Sequence, residues 1–380
     1  MVYAITSKKI FNGENFHDNK AIIIEGNRIK NILPRQEIGN IEIIDYGNNI
    51  IAPAFVDLQI NGCGGVLFND DISTKTLEIM LKTNLSVGTT SFLPTLITAA
   101  EADVKSAVEV ATQMHEKYPF NIVGVHIEGP YISKIKKGIH NPVYMKPISP
   151  QMVDFFIESN KKIPILLTLA PEENDVALIQ ALAVAGVKVA LGHSNANYAQ
   201  AATGIDAGIS MATHLFNAMS PLEGRNPNVV GAVLNSPYVS TGVIIDGNHV
   251  DFANVALAHK IKADKLFMVT DAATPMGTDM KEFVFADQKV YVQGNKYVNK
   301  DGTLAGANIT MLESVGNAVN HVNLSLAESL KMASLYPVRA FGVKKIGRVL
   351  ADYVANLIVF DDNYKLIATI DGGNIIKGVK

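Results

Sequence analysis

Eight apolar runs of strand length recur along the middle of the chain, and most are followed by a segment of helical composition. The runs are Ile50–Leu58, Thr89–Leu93, Ile122–Ile127, Ile163–Leu169, Val187–Leu191, Ile209–Ala212, Val243–Ile245 and Lys265–Val269. The helical segments include Ala99–Lys117, Pro171–Ala185 and Tyr198–Ala207. Parallel strands need a crossover of a dozen or more residues, normally a helix, so this alternation predicts a parallel sheet with helices outside it. Eight such units over about 290 residues suit a (β/α)8 TIM-like barrel, which typically takes ~250 residues before insertions. An open doubly wound sheet is the alternative. No Gly-x-Gly-x-x-Gly loop follows the first strand, which leaves a dinucleotide-binding version of that sheet without support.

Both ends of the chain have a different character. Ala21–Ile24, a Glu25-Gly26-Asn27 turn and Arg28–Ile32 form a hairpin pattern, and Leu357–Phe360, Asp361-Asp362-Asn363 and Leu366–Ile370 form another. The simplest arrangement pairs the termini into one small β-sandwich domain, residues 1–50 with 345–380, leaving 51–344 for the barrel; two unrelated peripheral extensions are the other possibility.

Composition narrows the partners. Hydrophobic residues are 48% of the 380, charged residues 18%, and the net charge is only -3. A large buried core is available and global disorder is disfavoured. No block of like charge suggests a nucleic-acid or membrane partner, so an anionic substrate would have to be met by a few placed cations. The single cysteine, Cys63, can form no internal disulfide. No stretch reaches 18 apolar residues and Met1–Phe11 has no signal-peptide core, so a cytoplasmic protein is expected.

The functional signal is positional. Five of the apolar runs lead into residues that can bind metal or move a proton: His126-Ile127-Glu128, Gly192-His193, Thr213-His214, Asp246-Gly247-Asn248-His249 and Thr270-Asp271. In a barrel the C-terminal strand ends converge on one mouth, where the chemistry sits. Glu128, His193 and His214 supply one carboxylate and two imidazoles, the composition of a catalytic zinc site with a position left open. Asp271 reads either as the cap of a following helix or as a general base beside an activated water. His126, two residues before Glu128, shares its strand face and is expected to support the site from below. Gln59 and Asn61 end the first strand; amides are poorer transition-metal ligands than histidine and are expected to hydrogen-bond a substrate. Asn61-Gly62-Cys63-Gly64-Gly65 lacks the Gly-Lys-Ser/Thr ending of a phosphate-binding loop.

These stretches resemble the amidohydrolase superfamily, and within it the enzymes that deacetylate amino-sugar phosphates. The resemblance is carried by Pro53–Asp70, Leu93–Thr98, His126–Pro130, Lys136–Pro142, Gly192–Ala196, Ala212–Met219, Asp246–Asp251, Val269–Ala272 and Gly302–Gly306, and it covers essentially the whole chain. It implies hydrolysis of the acetamide of N-acetyl-D-glucosamine 6-phosphate. Glu128, His193 and His214 would hold a divalent ion, Asp271 would be the base and acid, and His140 would polarise the acetyl carbonyl. Ile139, Asn217, Ala218, Arg225, His249, Leu304, Ala305 and Gly306 would contact the substrate. A homodimer is implied, with Arg225 and His249 reaching the neighbouring site; without the resemblance these two read equally as an ordinary surface pair.

The departures also inform. Many superfamily members carry His-x-His at the first strand end and a bridging carboxylate or modified lysine. Here Gln59-Ile60-Asn61 and Thr168-Leu169-Ala170 stand there instead, which argues for one ion rather than two. Zinc is the ion expected, although Fe(II), Mn(II) and Co(II) accept the same donors. A relative acting on another N-acetyl sugar or a cyclic amide, and a non-catalytic sugar-phosphate binder, are the rival readings. Ala54 replaces a usual Gly, and Asn356 a usual Asp.

Overall fold

The computed structural model describes residues 2–294 and 296–377. Its largest sheet has eight strands: β1 Phe55–Ile60, β2 Thr89–Ile97, β3 Val125–Glu128, β4 Ile165–Leu169, β5 Lys188–Leu191, β6 Met211–Ala212, β7 Ser240–Val243 and β8 Leu266–Met268. They lie side by side in chain order, and the registers from β2 through β8 are parallel. Just beyond β8 and β1 the circle closes: the Asp271 N–H donates to the Gln59 carbonyl at 2.9 Å, and the Asn61 N–H to that of Ala272 at 2.8 Å. This is the expected (β/α)8 barrel.

The intervening helices start where the sequence provides a cap. Ser149, Asp175, Asn197 and Asp251 each accept a backbone N–H from the first turn of their helix, and Asn197 with Gln200 and Thr310 with Glu313 form reciprocal capping boxes. Among the described residues no helix is long and apolar enough to cross a membrane.

The chain divides into two compact units, Leu58–Met80 with Phe92–Ile309, and Met1–Asp57 with Leu81–Ser91 and Thr310–Lys380. Residues 1 and 378–380 of the expected terminal domain lie outside the described residues. The second unit contains two sheets. One has four strands, Arg28–Pro34, Lys20–Glu25, Val2–Thr6 and Glu42–Asp45. The other has six, Asn374–Lys377, Leu366–Asp371, Leu357–Phe360, Ile50–Pro53, Lys9–Phe11 and Phe16–His17. Leu357–Phe360 pairs with Ile50–Pro53, so the two ends of the chain share one sheet. Both sheets send side chains into a common core that includes Ile5, Ile22 and Ile24 from the first and Ile51, Leu357 and Val359 from the second, which is how two half-apolar faces are buried. The two unusual residues are neighbours here: the Ala54 N–H donates to the Asn356 carbonyl at 3.0 Å.

Three features differ from expectation. The first apolar run is two strands, Ile50–Pro53 in the six-stranded sheet and β1 in the barrel. The seventh strand is Ser240–Val243, while Ile244 and Ile245 are buried in the loop after it. An unforeseen four-stranded antiparallel insertion, Glu282–Phe285, Gln288–Gln293, Lys296–Asn299 and Leu304–Ala307, follows β8. Its Phe283, Phe285 and Tyr297 pack with Ile97 at the end of β2 and Ile139 from the loop after β3.

Candidate metal centre

Glu128 is the last residue of β3; His193, His214 and Asp271 follow the ends of β5, β6 and β8. The backbone at the last three is left-handed, with φ of 48°, 32° and 51°. Such angles cost non-glycine residues on the order of 1–3 kcal/mol and persist where the surroundings over-determine them. They turn each side chain away from the strand pleat and toward a common point.

At that point three ligand atoms meet. Glu128 Oε1 lies 3.1 Å from His193 Nε2 and 3.0 Å from His214 Nε2, and the two Nε2 atoms are 3.1 Å apart. All three side chains are buried, between 2% and 6% exposed. His193 Nδ1 faces the Lys136 carbonyl at 2.8 Å. A carbonyl only accepts, so Nδ1 carries a proton, which leaves Nε2 as the nitrogen able to present a lone pair to a metal. A carboxylate oxygen and two imidazole nitrogens held this close form a site that a cation among them would stabilise. The separations are of the order expected for donors ~2.0–2.1 Å from one ion, so the residues fit a divalent metal. His140 also brings a ligand atom within 4.8 Å of those of Glu128 and His193. Its Nδ1, however, is engaged by the Thr98 hydroxyl at 2.8 Å, so His214 completes the tighter set.

Amides hold the carboxylates. Gln59 Nε2 donates to Glu128 at 3.2 Å and to Asp271 Oδ1 at 3.1 Å, and Asn61 Nδ2 donates to the same Asp271 oxygen at 2.7 Å. Burial alone would push Glu128 up, but the close His193 and His214 imidazoles hold it well below the usual carboxylate range. For Asp271 burial wins, reinforced by the Glu128 charge, and its pKa is pushed up to about 6. Burial holds His140 well below the usual imidazole value, so it is neutral at pH 7. The Thr98 N–H also points at its Nδ1, at 3.4 Å, which leaves the His140 proton on Nε2 as a donor. Burial likewise lowers His126 to about 4. Its ring lies beneath the site, with Nε2 2.7 Å from Thr168 Oγ1.

These groups open on a cavity of ≈ 440 Å³. Asn61, Glu128, Ile139, His140, His193, His214, Asn217, Ala218, His249, Asp271, Leu304 and Gly306 all line it. Three of the sequence-derived residues do not. Gln59 is buried under the carboxylates, Ala305 belongs to the apolar core of the insertion, and Arg225 is exposed on the segment before the helix Asn228–Asn235. His249 was expected to reach a neighbouring copy. It lines the cavity of its own chain, its Nδ1 paired with Asp246 at 2.7 Å. Lys136, Gly138, Phe285 and Thr303 also line the cavity and were not singled out beforehand. The first two lie in the stretch around His140 that carries the resemblance; Phe285 comes from the unread insertion.

Strand-end donors, a metal-competent carboxylate and two histidines on a (β/α)8 barrel define a class of hydrolase, and the comparisons agree. The chain belongs to the Amidohydrolase family, whose model matches residues 50–380. It is 43% identical to the N-acetylglucosamine-6-phosphate deacetylase of Haemophilus influenzae over 98% of this chain and 99% of that one. It is 33% identical to the N-acetylgalactosamine-6-phosphate deacetylase of Shewanella over 86% and 83% of the two chains. The crystal structure of N-acetylglucosamine-6-phosphate deacetylase from Pasteurella multocida superposes with a TM-score of 0.97 at 44% identity, covering both chains completely.

Proposed function

We propose that this chain hydrolyses the acetamide of N-acetyl-D-glucosamine 6-phosphate, releasing acetate and D-glucosamine 6-phosphate, as a step of amino-sugar catabolism. The observation that carries the reading is the meeting of Glu128, His193 and His214 within hydrogen-bond distance of one another in a cavity that Asp271 shares. Similarity to the Haemophilus and Pasteurella deacetylases supports the substrate.

Glu128, His193 and His214 would hold one divalent ion, with zinc the first candidate for a His2Glu set. When bound, such an ion polarises an acyl oxygen and brings the pKa of a water toward ~7. The residues of this chain supply the rest. Asp271, fixed by Asn61 and Gln59, removes a proton from the attacking water. The neutral His140 donates Nε2–H to the acetyl oxygen as charge develops on it. Asp271 then returns its proton to the sugar nitrogen as the C–N bond breaks. Asn217, Ala218, His249, Leu304 and Gly306 surround the sugar phosphate. Arg225, exposed and away from its own cavity, is assigned to the phosphate of a neighbouring copy in a homodimer. A sugar phosphate does not cross a membrane unaided, because burying its charge is too costly; we place the reaction in the cytoplasm.

The test is acetate release by metal-stripped protein, with zinc, iron, manganese and cobalt restored one at a time. N-acetylglucosamine 6-phosphate, N-acetylgalactosamine 6-phosphate and unphosphorylated N-acetylglucosamine are compared. The glucosamine phosphate should be favoured. Equal efficiency without the phosphate would reject the phosphate clamp, and preference for the galactosamine epimer would move the assignment to the Shewanella activity.

A further inference from the structure

Strand β4 sends no side chain to the ligand cluster, yet the turn after it carries two carboxylates, one bonded to the loop beyond β5 and one to the loop beyond β3. The turn is Pro171–Glu173. Glu172 Oε2 accepts from the Ser194 hydroxyl at 2.6 Å, and Glu172 Oε1 accepts from the Asn195 N–H at 2.6 Å. Glu173 Oε1 accepts from the Ser133 hydroxyl at 2.9 Å, and the Ser133 N–H in turn donates to the His193 carbonyl at 2.9 Å. His193 is thus gripped through its own carbonyl and through the two residues after it.

That grip falls on a backbone that would not hold itself. His193 has φ of 48°, a region that histidine enters more readily than most residues but still uncommonly. Both Glu172 bonds are short and charge-assisted, the stronger kind. They also reach further. The Ser194 N–H donates to the Ala218 carbonyl at 3.1 Å, and the Ser194 carbonyl accepts from the Ser220 N–H at 3.0 Å. Ser194 itself is fully buried. One carboxylate therefore ties down the turn that aims the His193 ring and the segment that presents Asn217 and Ala218 to the cavity.

We infer that Glu172 is a positioning residue for the metal centre, holding the 193–195 turn in the conformation that points His193 Nε2 at Glu128 and His214. The inference rests on Glu128, His193 and His214 being the ligands, and the test keeps the two ideas apart. Zinc affinity is measured by competition with a chromophoric chelator, alongside circular dichroism, thermal unfolding and the separate values of kcat and KM. Glu172→Ala should weaken zinc binding by about 10- to 100-fold, the range seen when partners behind metal ligands are removed, while the protein stays folded. Glu172→Gln can still accept from the Asn195 N–H and donate to the Ser194 hydroxyl, so it should stay within about threefold of wild type.

A residue that merely stabilises the fold would lower the unfolding temperature and leave the zinc affinity of the folded protein unchanged; that result for Glu172→Ala overturns the inference. So does a loss with Glu172→Gln as large as that with Glu172→Ala, since geometry would then not be what matters. Should Glu172→Ala fail to fold, Ser194→Ala deletes one hydroxyl from the same link. It should weaken zinc several-fold, and unchanged affinity there overturns the inference equally. His193→Ala is the control on the ligands. If it binds zinc like wild type, the ligand assignment falls and Glu172 falls with it. If it loses zinc while Glu172→Ala does not, only the role of Glu172 is lost.

Discussion

The six-stranded sheet and the mouth of the barrel are made from the same kind of backbone and filled in opposite ways. Along Leu357–Phe360 every side chain is apolar and completely buried, as expected of strands that exist to be packed. At the barrel mouth the buried side chains include Gln59, Asn61, Glu128, His140, His193 and His214, and the backbone is left-handed at His193, His214 and Asp271. Polar burial and strained angles each cost stability. A fold that concentrates both in one place does so for chemistry, and departure from local preference is what marks a site.

The largest test of this contrast separates activity from stability by exchanging one residue in each region. Asp271→Asn should retain metal and lower kcat by about 10²- to 10⁴-fold, the usual reach of a positioned acid–base group, without lowering the unfolding temperature. Leu357→Ala, at a fully buried core position, should cost about 2–5 kcal/mol of stability and leave kcat unchanged. Acetate release and denaturant unfolding of both variants decide the matter. If Asp271→Asn turned over at the wild-type rate, Asp271 would not be the base.

Gly306 tests how closely the mouth is fitted. Its φ is 75°, and a Cβ there would lie 2.8 Å from the Asp271 carbonyl oxygen. Gly306→Ala must either abandon that angle or push the Asp271 backbone aside. Small displacements near reacting groups have large kinetic effects, so kcat/KM should fall by about 10- to 100-fold, with a stability loss of ~1–3 kcal/mol. Wild-type kinetics in this variant would mean that the insertion does not hold Asp271 in place.

The pH dependence should be smaller. Burial and the Glu128 charge raise Asp271 to about 6, and a general base must be ionised. Activity therefore falls as pH drops through that midpoint, tending to about tenfold per unit below it. A cation held nearby favours the carboxylate and draws the midpoint lower, so metal-loaded enzyme should lose activity at or below about pH 6. For stability the sign is reversed. A carboxyl whose folded pKa exceeds its unfolded value of ~3.9 binds more protons when folded, so in metal-free protein its contribution becomes less favourable as pH rises from about 4 to 6. At neutral pH metal-free Asp271→Asn should then be no less stable than wild type, which unfolding with and without chelator will check.

Much of this was legible because parallel barrel strands are buried on both faces and read as unbroken apolar runs. The strand ends then placed Glu128, His193, His214 and Asp271 together by topology alone. The insertion after β8 was illegible for the converse reason. Glu282–Phe285 alternates exposed and buried residues, Gln288–Gln293 mixes polar and apolar residues equally, and such short strands carry little signal. Ile244 and Ile245 misled because a buried loop is as apolar as a strand. His140 came from the resemblance rather than from spacing, since its partner Thr98 lies just past β2 and only folding brings the two together. Glu172 gave no signal, because its partners are a serine hydroxyl and a backbone N–H on another loop.

The smallest effect should come from the ion pair that spans the six-stranded sheet. Lys9 Nζ lies 3.1 Å from Asp362 Oδ1, joining the strand Lys9–Phe11 to the turn between Leu357–Phe360 and Leu366–Asp371, and it looks like a clasp on the terminal pairing. Yet the two side chains are 49% and 69% exposed. Water already solvates both charges, and holding two mobile side chains together offsets the modest Coulomb gain. Exposed pairs of this kind contribute ~0–1 kcal/mol, less as salt rises. A double-mutant cycle of Lys9→Ala and Asp362→Ala should therefore give a coupling of about 0.5 kcal/mol or less. A coupling comparable with the loss from Leu357→Ala would mean that the terminal sheet is held by charge at its surface rather than by the apolar layer beneath.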